Sequence, residues 1–189
     1  MNHSDPTMSD RERLRELLVS RSVRRGDFVL ASGARSTHYV DARTTTMSGA
    51  GQVLIGRLGL ASLDAAGWEP ASLGGLTLGA DPVAYAIAHA AGLVGRELDA
   101  FTIRKEAKSH GTGRLIEGGF RSDTDVVVVE DVVTSGESAL RAIEALEESR
   151  ARILGVLAVV DRDAGGRERL EKAGYPLVAL FTTAELLQG

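Results

Sequence analysis

The segment best equipped for chemistry is VVVVEDVVTSGES, residues 126–138. An apolar run ends in two acids, Glu130 and Asp131. Val132 and Val133 follow, and then the short polar stretch Thr134-Ser135-Gly136-Glu137-Ser138 opens a helix. A strand-to-helix turn of this kind offers free backbone N–H groups and the positive end of a helix dipole, which together favour an anion. Gly136 lets the backbone approach a phosphate, and the Thr and Ser hydroxyls add donors. Two carboxylates would repel a bare phosphate. They suit a phosphate that carries hydroxyls or a positive centre beside it, as a ribose 5-phosphate does. The plainer alternative is a strand end, two solvated acids and a helix N-cap.

A second segment, RKEAKSHGTGRLIEG from 104 to 118, sets Arg104, Lys105, Lys108 and Arg114 against Glu106 and Glu117. Its excess of cations stands out in a chain of net charge −4. Gly111 and Gly113 allow the stretch to move. Clustered cations on a mobile loop suit a polyphosphate, and closure over it would exclude water while neutralising charge. The alternative is a solvated hairpin of mixed charge. Arg162, in VVDRDAGG, follows a buried strand, where a guanidinium can take a carboxylate in bidentate fashion. It could equally pair with Asp161 or Asp163. Gly79-Ala80-Asp81 lies in a βα turn whose helix is started by Pro82, and its N–H groups could face an anion. No chemistry is assigned to the Asp81 side chain. His89 in an apolar helix and Trp68 read as structural, and His38 receives no role.

These segments need a scaffold, and the apolar pattern supplies one. A helix capped by Ser9 or Asp10 runs to about Ser22, with Leu14, Leu17 and Leu18 on one face. Short strands are expected at Phe28–Leu30 and His38–Asp41, joined by a turn over residues 32–35. Leu54, Leu58, Ala61 and Ala65 recur at helical spacing, giving a helix over about 50–66 that Gly67 ends. Strand–loop–helix units follow: Leu76–Leu78 and then an Ala-rich helix to about Ala91; Ala100–Ile103 and then a polar loop to about Gly119. Val126–Val129 precedes a helix with Leu140, Ile143 and Leu146 inward. Ile153–Val160 is another strand, and Leu177–Phe181 a last one. Continuous apolar strands alternating with helices predict a mainly parallel sheet flanked by helices, and ligands in such sheets bind at the carboxyl ends of the strands.

Composition narrows the function classes. With 189 residues, 43% of them hydrophobic, the chain can build a substantial core. Residues 1–8 read as a tail and 9–189 as one domain. The mild acidity argues against nonspecific nucleic-acid binding. The absence of cysteine removes disulfides, thiolate zinc sites and cysteine nucleophiles. The four histidines, His3, His38, His89 and His110, lack metal-ligand spacing. The longest apolar run, Ile153 to Val160, is less than half of the roughly 18–20 residues that span a bilayer. No apolar signal region opens the chain, so a cytoplasmic location without membrane contact is expected.

VVVVEDVVTSGES resembles the phosphoribosyl-diphosphate (PRPP) motif of the type I phosphoribosyltransferases. From about Phe28 to Arg162 the chain is similar, within that group, to the orotate phosphoribosyltransferases. R-K-E-x-K-x-H-G at 104–111 resembles their catalytic loop, and FVLASGARSTHYVDAR at 28–43 their hood segment F-x-L-x-S-G-x-x-S-x-x-Y-x-D. The resemblance implies an α/β type I phosphoribosyltransferase fold: a central, mainly parallel sheet flanked by helices, with a small N-terminal hood from about 22–45. It implies a pentosyltransferase of pyrimidine biosynthesis that moves ribose 5-phosphate from PRPP to orotate. PRPP would be held by Arg104, Lys105, Lys108, His110, Glu130, Asp131, Val132, Val133, Thr134, Ser135, Gly136, Glu137 and Ser138. Lys108 and Asp131 would be catalytic, and Thr134 and Arg162 would meet orotate. The backbone at 79–81 would face the diphosphate. Mg²⁺ would arrive on PRPP rather than in a protein cage, and the basic loop would close over the neighbouring subunit of a homodimer. Ala31 stands where several relatives have Lys. A purine phosphoribosyltransferase and a PRPP-binding regulatory protein are the alternatives. Thr134, where 6-oxopurine enzymes place Asp, and the intact basic loop argue against both.

Overall fold

The computed structural model describes residues 8–29, 35–105 and 115–188. Helix α1 (Asp10–Arg21) begins at Ser9, whose side chain and that of Glu12 form a reciprocal capping box. An antiparallel pair follows, β1 (Val23–Val29) and β2 (Arg35–Val40). The short α2 (Arg43–Thr46) leads into α3 (Gly49–Ala65). The remaining elements are β3 (Ser72–Leu76), α4 (Ala80–Leu93), β4 (Asp99–Ile103), β5 (Ile116–Gly118) and β6 (Asp125–Val133). They continue with α5 (Glu137–Glu148), β7 (Arg152–Asp161), α6 (Gly166–Lys172), β8 (Leu177–Thr182) and α7 (Thr183–Leu187).

Among the described residues, six strands form one sheet in the order β5-β4-β3-β6-β7-β8. Every pairing is parallel except β4 with β5. The four valines of 126–129 explain why β6 lies at the centre: it is apolar on both faces. Val127 and Val129 pack with Leu14, Leu18, Leu54, Ile55, Val83 and Ile87 of α1, α3 and α4. Val126 and Val128 pack on the other face with Ala139, Ala142, Ile143 and Leu146 of α5. From β3 the chain winds outward to β4, and from β6 outward to β7. The crevice between the carboxyl ends of β3 and β6 is therefore the switch point at which open α/β sheets bind ligands.

The structure shifts several expected boundaries. The first strand starts at Val23 rather than Phe28, because Val23 and Arg24 pair with Val40 and Tyr39. The third strand is Ser72–Leu76, not Leu76–Leu78. Its register is set on both sides, Ser72 opposite Asp99 and Val126, and Leu78 is left 56% exposed. The expected stripe on α3 is out of phase: Ala61 and Ala65 are exposed. The buried face is Gly51, Leu54, Ile55, Gly56, Gly59 and Leu63. Close packing on α4 selects it, since a Cβ on Gly56 would lie 2.5 Å from the Ala86 carbonyl oxygen. The polar loop after β4 contains the edge strand β5, which its short, mixed composition hid. Among the described residues no helix is long and apolar enough to cross a membrane.

Candidate active site

At the switch point β6 delivers two carboxylates in succession. Glu130 is 6% exposed, and its Oε1 has no hydrogen-bond partner among the described residues. Burial pushes its carboxyl up to about 8, and the neighbouring Asp131 adds to the rise. Asp131 is half-buried and also raised by burial. The Val132 N–H, which donates to its Oδ1 at 2.9 Å, and the positive charge of Arg43 partly oppose that shift. Beyond them Thr134 and the exposed Ser135 lead to Gly136, which occupies the left-handed region (φ 73°) as the N-cap of α5. Gly136 supplies no capping side chain, which leaves the first N–H groups of α5 to the turn.

The other walls come from three elements. The loop after β3 runs from Thr77 through Leu78 to Gly79, with a cis Thr77–Leu78 peptide. Gly79 passes so close to the acids that a Cβ there would lie 2.5 Å from Oδ1 of Asp131. From the β1–β2 hood come Tyr39 and, just beyond β2, Asp41. Arg43 grips Asp41 bidentately, Nε to Oδ1 at 2.8 Å and Nη2 to Oδ2 at 3.1 Å, and holds that carboxyl below its usual range. From the end of β7 comes Arg162. Its backbone N–H donates to the Val133 carbonyl at 2.9 Å, and its guanidinium lies 5.8 Å from the Tyr39 ring centroid. Neither Asp161 nor Asp163 pairs with it: Asp161 takes Arg167 at 2.9 Å.

Lys105, Glu130, Asp131, Val132, Thr134, Ser138 and Arg162 thus line one cleft of about 460 Å³. Val133, Ser135, Gly136 and Glu137 line a smaller hollow of about 100 Å³ that shares Glu130, Val132, Thr134 and Ser138 with it. Arg104 is placed differently. It pairs with Glu117 at 3.1 Å and lines an adjoining hollow of about 380 Å³ with Thr77, Thr102 and Lys105. Lys108 and His110, like Ala31 and Arg114, lie outside the described residues. His89 is exposed, and Trp68 packs where a Cβ on Gly155 would meet its ring at 2.5 Å.

Sequence reasoning assigned nothing to Tyr39, Asp41, Arg43, Thr77 or Arg141, all of which line the cleft. Tyr39 and Asp41 stand in the hood motif, and Arg141 lies three residues beyond Ser138 on α5, so those signals were present. Nothing local marks Arg43 or Thr77. Among the described residues, Lys105, Arg141 and Arg162 make no ion pair. Unpaired cations around a buried acid pair, beside a helix N-terminus, suit a ligand bearing both phosphate and hydroxyl groups. No group of three or more His, Asp or Glu among the described residues could hold a metal ion.

This sheet, with its hood and its cleft at the β3–β6 switch point, is the type I phosphoribosyltransferase fold. The chain is 45% identical over 183 residues to an orotate phosphoribosyltransferase of Aquifex aeolicus, covering 95% of this chain and 99% of that one. It superimposes with a TM-score of 0.84, at 44% identity over 95% of this chain and 99% of the other, on the orotate phosphoribosyltransferase of Mycobacterium tuberculosis in complex with Fe(III) dicitrate. For the same enzyme in complex with PRPP the TM-score is 0.80, at 41% identity over 94% of this chain and 99% of the other. No protein-family model matches the chain. On this identity and coverage the chain belongs to the orotate phosphoribosyltransferases, pentosyltransferases of pyrimidine biosynthesis.

Proposed function

We propose that the cleft binds PRPP and orotate together and that the residues around it divide the work as follows. The turn from Thr134 to Ser138 takes the 5-phosphate on its N–H groups and hydroxyls. Glu130 and Asp131 accept hydrogen bonds from the ribose hydroxyls, and Asp131 favours the positive charge that builds on the ring as the bond at C1 breaks. Arg162 takes the orotate carboxylate, with Thr134 beside the base. The backbone of residues 77–79, slightly earlier than the 79–81 expected because Ala80 and Asp81 already lie in α4, and Lys105 receive the diphosphate, assisted by Arg104, Lys108 and His110. No protein nucleophile is required. The observation that carries this reading is the juxtaposition, in one cleft, of a buried acid pair with an uncapped helix N-terminus and unpaired cations.

Magnesium fits as part of the substrate. The Glu130–Asp131 pair offers carboxylate oxygens but, among the described residues, no third protein ligand, which suits a cation that keeps most of its ligands on the diphosphate and water. Bound there, it would neutralise charge on the leaving group. We further propose a cytoplasmic homodimer, a single domain from about residue 9, and a basic loop that closes over the neighbouring subunit. Support for these comes from the motif at 104–111 and from the membership of the family.

The test follows orotate absorbance. It is expected to fall when PRPP and Mg²⁺ are added to the purified protein, with hypoxanthine and adenine unused. An unchanged orotate spectrum with all reagents present would sink the reading.

A further inference from the structure

One buried acid has no part in that scheme. Asp81, in the first turn of α4, is 9% exposed, and among the described residues no cation pairs with it. It is held by hydroxyls instead. Thr77 Oγ1 donates to its Oδ2 at 2.7 Å, and Thr102 Oγ1 to its Oδ1 at 2.8 Å. The hydroxyl of Tyr85 lies 2.9 Å from that of Thr102. Since the Thr102 proton is committed to Asp81, Tyr85 must be the donor. The chain of bonds therefore runs Tyr85 to Thr102 to Asp81, with Thr77 completing the carboxylate from the other side.

The two threonines belong to different parts of the site. Thr77 opens the loop that lines the cleft beside Asp131. Thr102 lies on β4, two residues before Arg104 and three before Lys105, where the basic loop departs. Thr77 and Lys105 line both the cleft and the adjoining hollow. One backbone bond also joins the segments, Thr77 N–H to the Ile103 carbonyl at 2.9 Å. Such a bond fixes the main chain; the side chain of Thr77 depends on Asp81.

Resting on the reading given under Proposed function, we propose that Asp81 is a positioning residue for the diphosphate end of the site. Its carboxylate clamps the 77–79 loop to the end of β4 and so sets the spacing between the loop's backbone donors and Lys105. It touches neither substrate. It acts on PRPP through Thr77 and through the root of the basic loop, and it leaves the orotate contacts of Arg162 and Thr134 untouched.

The experiment is steady-state kinetics with each substrate varied in turn. Asp81→Ala removes both anchors and is expected to raise KM for PRPP about 10-fold, as befits the loss of buried hydrogen bonds. KM for orotate should stay within about twofold. Asp81→Asn keeps an acceptor for one hydroxyl and should recover most of the loss, leaving about a threefold rise. Thr102→Val, outside the cleft, should give a similar rise of about threefold. Adding it to Asp81→Ala should change nothing further, because both act through one clamp. An unmoved KM for PRPP in Asp81→Ala, or a parallel rise in both KM values, overturns the proposal in favour of a carboxylate that serves folding alone. If Asp81→Ala does not fold, Asp81→Asn and Thr102→Val decide on the same criterion. Wild-type protein in the same assay separates the two ideas. No turnover there defeats the functional reading, whereas active wild type with normal KM for PRPP in the variants defeats the clamp.

Discussion

Asp81 and Glu130 are hidden to nearly the same degree, 9% and 6% exposed, at the ends of neighbouring strand-to-helix connections. The fold treats them oppositely. Asp81 receives two hydroxyl donors at 2.7 and 2.8 Å, whereas Oε1 of Glu130 receives none and that carboxyl is driven up to about 8. Buried polar groups are almost always paired, so an orphan marks a place that something else completes. One carboxylate is satisfied by the protein's own hydroxyls; the other is left, on the function proposed above, for the hydroxyls of a ligand. The difference separates architecture from binding site more sharply than burial or charge could.

The largest expected effect concerns the neighbour that shares the unfinished site. Asp131→Asn keeps the shape of the side chain but removes its charge, and kcat should fall about 100-fold, the scale of a lost charge-stabilising contact. Measured turnover close to wild type would show that Asp131 does not face the developing charge. Next comes the close approach that positions it. Gly79→Ala places a methyl group where Asp131 Oδ1 now lies, 2.5 Å from the ideal Cβ, so the carboxylate must turn aside. A rise of about 10-fold in KM for PRPP is expected, and an unaltered value would mean that the loop yields instead.

Smaller effects test Glu130 itself through pH. Its folded value, about 8, lies above the ordinary 4.5. Between those values the native state keeps a proton that the unfolded chain has released. Glu130's contribution to the stability of the free protein therefore falls as pH rises from about 5 to 8. Glu130→Gln cannot ionise and should gain on wild type across that window, read as a Tm difference that widens with pH. Each kcal/mol corresponds to roughly 2–4 °C in a chain of this size. Parallel Tm curves would place the Glu130 carboxyl in a far more solvated setting. The smallest signal follows from the same imbalance. Ribose hydroxyls that donate to Glu130 favour its charged form, so PRPP binding near pH 7 should release a fraction of a proton. Calorimetry in buffers of different ionisation enthalpy would detect it, and Glu130→Gln should abolish it.

Val126 to Val129 announced the central strand because only a position covered on both faces tolerates four consecutive β-branched residues. Ser9 announced the first helix through its cap. The segment from Glu130 to Ser138 was equally readable as a strand, a turn and a helix start, since those features are encoded in adjacent residues. The buried face of α3 was not. A hydrophobic stripe identified Leu54, which is buried, together with Leu58, Ala61 and Ala65, while the contact with α4 required glycines that carry no hydrophobic signal. Arg43 and Thr77 escaped for a related reason: their neighbours in sequence say nothing of Asp41 held in a fork or of Asp81 across a turn.

The order of the chain by itself determined that strands and helices alternate, that the valine strand carrying Glu-Asp runs into a Thr-Ser-Gly turn and a helix, and to which family those motifs belong. Each of those properties depends on residues a few positions apart. Tertiary structure alone decided that β3 lies beside β6, and with it that Gly79 presses on Asp131, that Arg162 shares a cleft with Tyr39, and that Asp81 is satisfied while Glu130 is not. Hydrogen-bond satisfaction and desolvation depend on what every other segment brings to a point in space, and no local pattern carries that sum.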